Sequence, residues 1–138
     1  NKLGKLIGFF DDNEITIEGR TNLTCSDDAA ARFAAYGWHV ERVANIEDLE
    51  ALDAAIERAK AETARPSLIV VKSKIGYGSP REDSSKAHGE PLGAENIAKT
   101  KAAYGWPSTE PFFVPDEARD AWRAAAAERA QAHAEWQE

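Results

Sequence analysis

The feature that most constrains the fold is an alternation of short apolar runs with longer segments of helical character. The runs Lys5–Phe10, Trp38–Val43 and Ser67–Lys72 have the length and the aromatic or β-branched content of strands. Helices are predicted between them, from Ser26 or Asp27 to Tyr36 and over Glu47–Thr63. This order predicts an α/β fold in which a parallel sheet is connected by crossover helices.

The finer pattern places boundaries and a long loop. Gly37 is the predicted C-cap of the first helix, and Asn45 is the predicted N-cap of the second. Ile15–Gly19 is predicted to be a small extended stretch. The polar segment Lys74–Leu92 is longer than most loops of a compact domain, which makes it a candidate for function. Two more helices are predicted, Ala94–Tyr104 and a connector from Pro115 towards Trp136.

The composition narrows the possible partners. The chain has 138 residues, of which 43% are hydrophobic, enough for the core of one domain. Its net charge of −7 argues against nucleic acid or an anionic membrane as a partner, because both are bound by clustered Lys and Arg. No apolar run reaches the length of a membrane span, and the lone Cys25 fits a cytoplasmic location. A chain that starts at Asn1 and has no Met is expected to be a fragment.

Two segments follow predicted strands, and ligands of open parallel sheets bind beyond the carboxyl ends of the strands. The first segment, Asp11–Ile17, has the sequence DDNEITI. Magnesium prefers oxygen ligands, and the Asn13 amide oxygen can face the same ion as a backbone carbonyl two residues further on. On the residues alone, the alternative of an ordinary strand-ending turn, which Asn and Asp favour, stays open.

The second segment lies in the long loop and consists of Ile75–Ser79 (IGYGS) and Ala87–Leu92 (AHGEPL). Glycines allow a backbone to pass close to a cofactor, and His88 can donate to a phosphate or carry a proton. The alternative is a flexible surface loop with an incidental histidine. His39 and His133 lie in a strand pattern and on a solvated helix, so they are assigned no chemical role.

The order of several motifs resembles that of the transketolase family of thiamine-diphosphate enzymes. The motifs are, in chain order, LIGFFDDNEITIEG, RFAAYGWHVERV, RPSLIVVKSKIGYGSP, KAHGEPLG and YGWPSTEPFFVPDEA. Each is unspecific alone, but together they follow the family's order and cover nearly the whole chain. The D-D-N and I-T-I segments also distinguish transketolases from related thiamine enzymes. The chain departs from the expected pattern at Arg81–Asp83, where Asn and Lys are expected.

The resemblance implies a partial thiamine-diphosphate-binding fold. Residues 1–107 would be part of the diphosphate-binding (PP) domain, and residues 108–138 a linker and connector helix towards a second domain. The side-chain oxygen of Asn13 and the backbone carbonyl of Ile15 would bind Mg²⁺. Ile17 would pack near the thiazolium ring. His88 would contact the diphosphate and act as a catalytic residue beside the substrate, and Gly89 would let that loop approach the cofactor.

The resemblance also implies an activity and partners. The reaction would transfer a two-carbon ketol unit between sugar phosphates, with thiamine diphosphate and Mg²⁺ as cofactors. The partners would be the remainder of the transketolase chain or a partner subunit, in a homodimer. The family's G-D-G motif and its cofactor-activating Glu are not in this sequence, so the chain alone is expected to be inactive. The alternatives are another thiamine enzyme, such as a deoxyxylulose-phosphate synthase or a dehydrogenase component, and a non-catalytic assembly remnant.

Overall fold

The structure is a computed structural model that describes residues 2–137. Within these residues it contains a parallel sheet and four α-helices. The strands are β1 (Ile7–Asp12), β2 (His39–Val43) and β3 (Ser67–Lys72). The helices are α1 (Ala29–Ala35), α2 (Leu49–Ala61), α3 (Ala94–Ala103) and α4 (Asp116–Gln137). The predicted α/β class is confirmed.

The sheet has the order β1-β3-β2, so the last strand in sequence lies in the middle. Both pairings are parallel, and Ser67 is opposite Ile7 on one side and His39 on the other. The β1 pairing continues to Asp12, which lies opposite Lys72. As a result, the segments that follow β1 and β3 leave the sheet side by side, at the same edge.

The central strand is buried on both faces. Ile69 and Val71 pack with Ala55 and Ala59 of α2, whereas Leu68 and Val70 pack with Ala30 of α1. Successive side chains of a strand point to opposite faces, so a strand covered by helices on both sides reads as a continuous apolar run. The prediction that Ser67–Lys72 is covered on both faces is confirmed.

The strand and helix ends differ by a few residues from the predicted ones. β1 extends through Asp11 and Asp12, which were predicted to stop it, because β3 offers backbone partners as far as Lys72. The N-caps are Asp28 and Asp48, whose carboxylates accept from backbone N–H groups three residues on, instead of the predicted Ser26 or Asp27 and Asn45. Asn45 instead accepts from the Glu47 N–H.

The extended stretch after β1 is a tight hairpin. Ile15 and Arg20 form an antiparallel bridge, and the Thr16 N–H donates to the Gly19 carbonyl at 2.6 Å. Gly37 has a φ of +83° and donates its N–H to Ala34, as the predicted C-cap requires.

The chain divides into two compact units, one ending at Thr100 and the other beginning at Lys101. The second unit contains α4, on which Trp122 and Trp136 are 69% and 80% exposed. The predicted boundary between residues 107 and 108 concerns the larger protein and stays a prediction. Among the helices of residues 2–137, none is both long and apolar enough to cross a lipid bilayer.

Candidate functional site

The segments that follow β1 and β3 are joined directly at the carboxyl edge of the sheet. The Ser73 hydroxyl donates to the Asp11 carboxylate, and the Ser73 N–H lies 3.4 Å from the Asp12 carbonyl. These contacts continue the β1–β3 pairing one residue past the end of β3, along the last two residues of β1. They fix the point from which both segments depart.

The segment after β1 turns sharply at Asn13. The Asn13 Oδ1 atom accepts from the Ile15 N–H at 3.0 Å, and Glu14 between them has a φ of +59°. Ile15 itself is buried. The side chain of Asn13 therefore holds the turn that orients the Ile15 carbonyl. Because an amide oxygen has two lone pairs, Asn13 Oδ1 keeps one acceptor position free of this bond.

The long loop returns to this turn through His88. His88 is the last residue of a short 3-10 helix, Ser85–His88, within the loop. The Nε2 atom of His88 lies 3.1 Å from the backbone carbonyl oxygen of Ile15. A carbonyl can only accept, so the ring nitrogen in this bond carries the proton. Residues that are 73 positions apart in sequence thus meet at one atom.

The remaining predicted site residues make no such contact. Ile17 lies in the hairpin and is 75% exposed. Gly89 has an extended φ of −161°, and a Cβ at this position would meet no atom within 4 Å. The structure therefore brings together Asn13, Ile15 and His88, whereas the roles of Ile17 and Gly89 stay predictions.

Charged side chains that the sequence interpretation did not single out surround the turn. The Lys72 Nζ atom lies 2.6 Å from Glu14 Oε1 and 3.6 Å from Asp12 Oδ2. The hydrogen bond to Glu14 raises the pKa of Lys72, and the charge of Asp12 raises it further. No sequence signal marks these residues, since Lys72 is 58 or more positions from its partners and the pairing depends on the β1–β3 register.

The donor atoms at the turn suit a hard cation. Asn13 Oδ1 and the Ile15 carbonyl are neutral oxygen donors, the type that Mg²⁺ accepts alongside carboxylates and phosphates. Within residues 2–137 no three His, Cys, Asp or Glu side chains form a group that could hold a metal ion. The described residues therefore fit one side of a magnesium site that needs further oxygen ligands.

Comparison with known proteins identifies the family. The sequence matches the family described as "Transketolase, thiamine diphosphate binding domain" over residues 1–138. The chain belongs to this transketolase family. It is 44% identical over 139 aligned positions to a transketolase of Geobacillus stearothermophilus, covering 99% of this chain and 21% of that protein. It is 47% identical to a chromosomal transketolase of Cupriavidus necator, covering 99% of this chain and 20% of the relative.

Solved transketolases share the fold. The transketolase of Leishmania mexicana superposes with a TM-score of 0.92 at 35% identity, and the alignment covers 99% of this chain and 20% of that one. A Pichia stipitis transketolase described as a complex with sedoheptulose 7-phosphate has a TM-score of 0.91 at 36% identity, with the same coverage. This transketolase domain therefore spans about a fifth of the length of its relatives. The family resemblance seen in the motifs is confirmed.

Proposed function

We propose that this chain forms the metal and diphosphate side of a transketolase active site. The activity would be transfer of a two-carbon ketol unit between sugar phosphates, with thiamine diphosphate and Mg²⁺. The observation that carries the proposal is the contact between His88 Nε2 and the Ile15 carbonyl, 3.1 Å long. It joins the two segments assigned to the cofactor from their motifs, at the sheet edge where ligands of parallel α/β folds bind.

In this proposal Asn13 Oδ1 and the Ile15 carbonyl hold Mg²⁺, and His88 and Gly89 contact the diphosphate. Ile17, exposed in the hairpin, supplies an apolar surface for the thiazolium ring. The bound cofactor supplies the carbanion stabilisation that the transfer requires. The contribution of the chain is to fix the oxygen donors. The Ile15 carbonyl has two lone pairs, so it can ligate a cation while it accepts from His88.

His88 would also take part in proton transfer. Its Nε2–H is committed to the Ile15 carbonyl, which leaves Nδ1 as the ring nitrogen that can face a substrate. His88 is exposed, so a substrate hydroxyl can reach its ring. A histidine positioned in this way accelerates proton transfer typically by about 10²–10⁴-fold.

The complete enzyme would need the remainder of the transketolase chain or a partner subunit. We propose a homodimer with a cytoplasmic location. The isolated chain is expected to have no turnover, because it spans about a fifth of its relatives and provides only part of the donor set. Turnover of a ketose phosphate by the pure chain would contradict this part of the proposal.

The test is to compare Asn13→Ala and His88→Ala in a full-length transketolase that carries this domain. Asn13→Ala removes one neutral ligand, so cofactor affinity should fall and be partly restored by excess Mg²⁺ and thiamine diphosphate. His88→Ala should lower turnover by about 10²–10⁴-fold even at saturating cofactor. Cofactor affinity and turnover are measured separately, with a ketose phosphate donor and an aldose phosphate acceptor.

A matched control is Asn45→Ala. The Asn45 Oδ1 atom accepts from the N–H two residues on at 3.1 Å, as Asn13 Oδ1 does, but it belongs to the turn before α2. The Asn45→Ala variant should leave cofactor affinity unchanged.

Normal affinity and turnover in both the Asn13 and His88 variants would mean that the two segments are only a strand-ending turn and a surface loop. That result would favour the non-catalytic alternative.

A further inference from the structure

We infer that the ion pair between Arg20 and Asp83 positions His88 against the Ile15 carbonyl. Arg20 and Asp83 are thus positioning residues for the reaction. The inference rests on the proposed function. Arg20 Nη2 lies 2.5 Å from Asp83 Oδ2, although the residues are 63 positions apart. The pair is a second direct link between the hairpin after β1 and the loop that carries His88.

On the hairpin side, Arg20 is tied to the atoms that His88 contacts. Arg20 forms the antiparallel bridge with Ile15, and the next residue, Thr21, donates its N–H to the Glu14 carbonyl at 2.9 Å. The backbone of Arg20 therefore cannot move without the Ile15 segment. Because Asp83 of the loop pairs with the Arg20 guanidinium, the position of the loop is fixed relative to the Ile15 carbonyl.

On the loop side, Asp83 is held in a strained and hydrogen-bonded conformation. Its φ is +56°, in the left-handed region that few residues other than Gly, Asn and Asp adopt. Its N–H donates to the Ile75 carbonyl at 3.0 Å. The preceding residue, Glu82, accepts from the Gly78 N–H at 2.8 Å and from Lys74 Nζ at 3.1 Å. The loop is thus held at Glu82 and at Asp83 by residues 74–78.

The path from Asp83 to His88 is short and bonded. The Ser84 hydroxyl donates to the Arg81 carbonyl at 2.7 Å, and the 3-10 helix Ser85–His88 follows at once. Arg81 Nη1 also donates to the Glu90 carbonyl at 3.1 Å, just past His88. A shift of Asp83 is therefore transmitted to the imidazole.

The pair ends a row of alternating charges that starts on the central strand. The row is Lys72, Glu14, Arg20 and Asp83, with separations of 2.6, 4.0 and 2.5 Å between consecutive charged groups. The four side chains are 37–51% exposed. Water and salt screen such pairs, so each link is expected to contribute modestly and to weaken as ionic strength rises.

The test uses the full-length enzyme with Arg20→Gln, Asp83→Asn, the double variant and Arg20→Lys. Asn keeps the tolerance for a positive φ at position 83, so the change removes the charge and leaves the backbone preference. Each single neutralising variant should lower kcat about twofold to fivefold at saturating cofactor and low salt. The double variant should be no worse than the more impaired single variant, and Arg20→Lys should restore most of the turnover. The loss should shrink as salt is added.

The control is the Arg32–Asp27 pair, which has the same residue types but joins α1 to the residues just before it. Arg32→Gln and Asp27→Asn should leave kcat unchanged.

Unchanged kcat in the Arg20 and Asp83 variants would overturn the inference. Losses that multiply in the double variant would also overturn it. A fall in melting temperature with normal kcat would also overturn it. If His88→Ala itself kept normal turnover, the proposed function would fail first. A large loss in His88→Ala without loss in Arg20→Gln defeats only the positioning role.

Discussion

At the scale of single residues, Gly76 of the long loop has a packing role that the sequence did not predict. The glycines of this loop were predicted to let the backbone pass close to a cofactor, and that stays a prediction. A Cβ on Gly76 would lie 2.9 Å from the Ala87 Cβ and 3.2 Å from the Ser79 hydroxyl, and Gly76 has a φ of +65°. Gly76 therefore allows the two ends of the loop to pack on each other, next to His88. The close approach of Gly76 and Ala87 joins residues far apart in the loop, and no local sequence pattern predicts it.

Gly76→Ala should accordingly destabilise the protein and displace the His88 end of the loop. Ala at a positive φ costs about 1 kcal/mol or more, and the clash with Ala87 adds to that cost. The measurement is urea unfolding together with turnover of the full-length enzyme. Gly8→Ala is the matched control, because a Cβ there would make only an ordinary 3.6 Å contact with Leu68. Equal stability of the two variants would contradict the explanation.

At the scale of elements, a polar link between α2 and the sheet supplements the apolar core. Arg58 of α2 donates two hydrogen bonds to the Glu41 carboxylate, 3.0 and 2.8 Å long. His39 Nε2 lies 3.1 Å from the same carboxylate, and His39 Nδ1 lies 3.0 Å from the hydroxyl of the buried Ser67. The link explains how a polar residue can begin the central strand without an unsatisfied hydroxyl. It also gives His39 a structural role.

Glu41→Gln should lower stability at neutral pH and flatten its acid dependence. The hydrogen bond from Arg58, together with the charge of Arg58, lowers the pKa of Glu41. A carboxyl whose pKa is lower in the folded state contributes stability that is fully present above its unfolded pKa of about 4.5, and that is lost as the pH falls through the folded pKa. The loss at pH 7 should be roughly 1–3 kcal/mol.

The measurement for this prediction is the free energy of unfolding between pH 7 and pH 3. Glu57→Gln, on α2, is the control, because Glu57 is exposed and its ion pair within the described residues is with Lys60, three residues on. The control should change stability little and keep the parental pH profile. A Glu41→Gln variant with the parental slope below pH 4.5 would refute the assignment of the link.

At the scale of the whole molecule, β1 is an edge strand with little cover. Phe9 and Phe10 point to opposite faces of the sheet and are 57% and 42% exposed. Their neighbours on β3, Ile69 and Val70, are almost completely buried, so the helices cover the centre of the sheet and not this edge. Within residues 2–137, β1 pairs with β3 alone. An exposed apolar edge strand is a template for pairing with another chain.

The isolated chain should therefore self-associate as concentration rises. Its net charge of −7 opposes contact between copies, so association should increase with salt. Light scattering over a wide concentration range measures this, and Phe10→Lys should reduce the association. Leu23→Lys replaces a residue that is 75% exposed outside the sheet, and it should have little effect. A monomer at all concentrations would count against the prediction.

The sequence by itself determined the strands, the parallel α/β class, the family, and the two segments at one sheet edge. These features depend on local periodicity, on motif order and on the common direction of parallel strands. The tertiary structure decided that β3 lies in the middle, that β1 continues through Asp12, and that His88 meets the Ile15 carbonyl. It also decided the pairing of Arg20 with Asp83. Each of these depends on contacts between residues that are distant in sequence, and short-range patterns carry no information about which distant partners will meet.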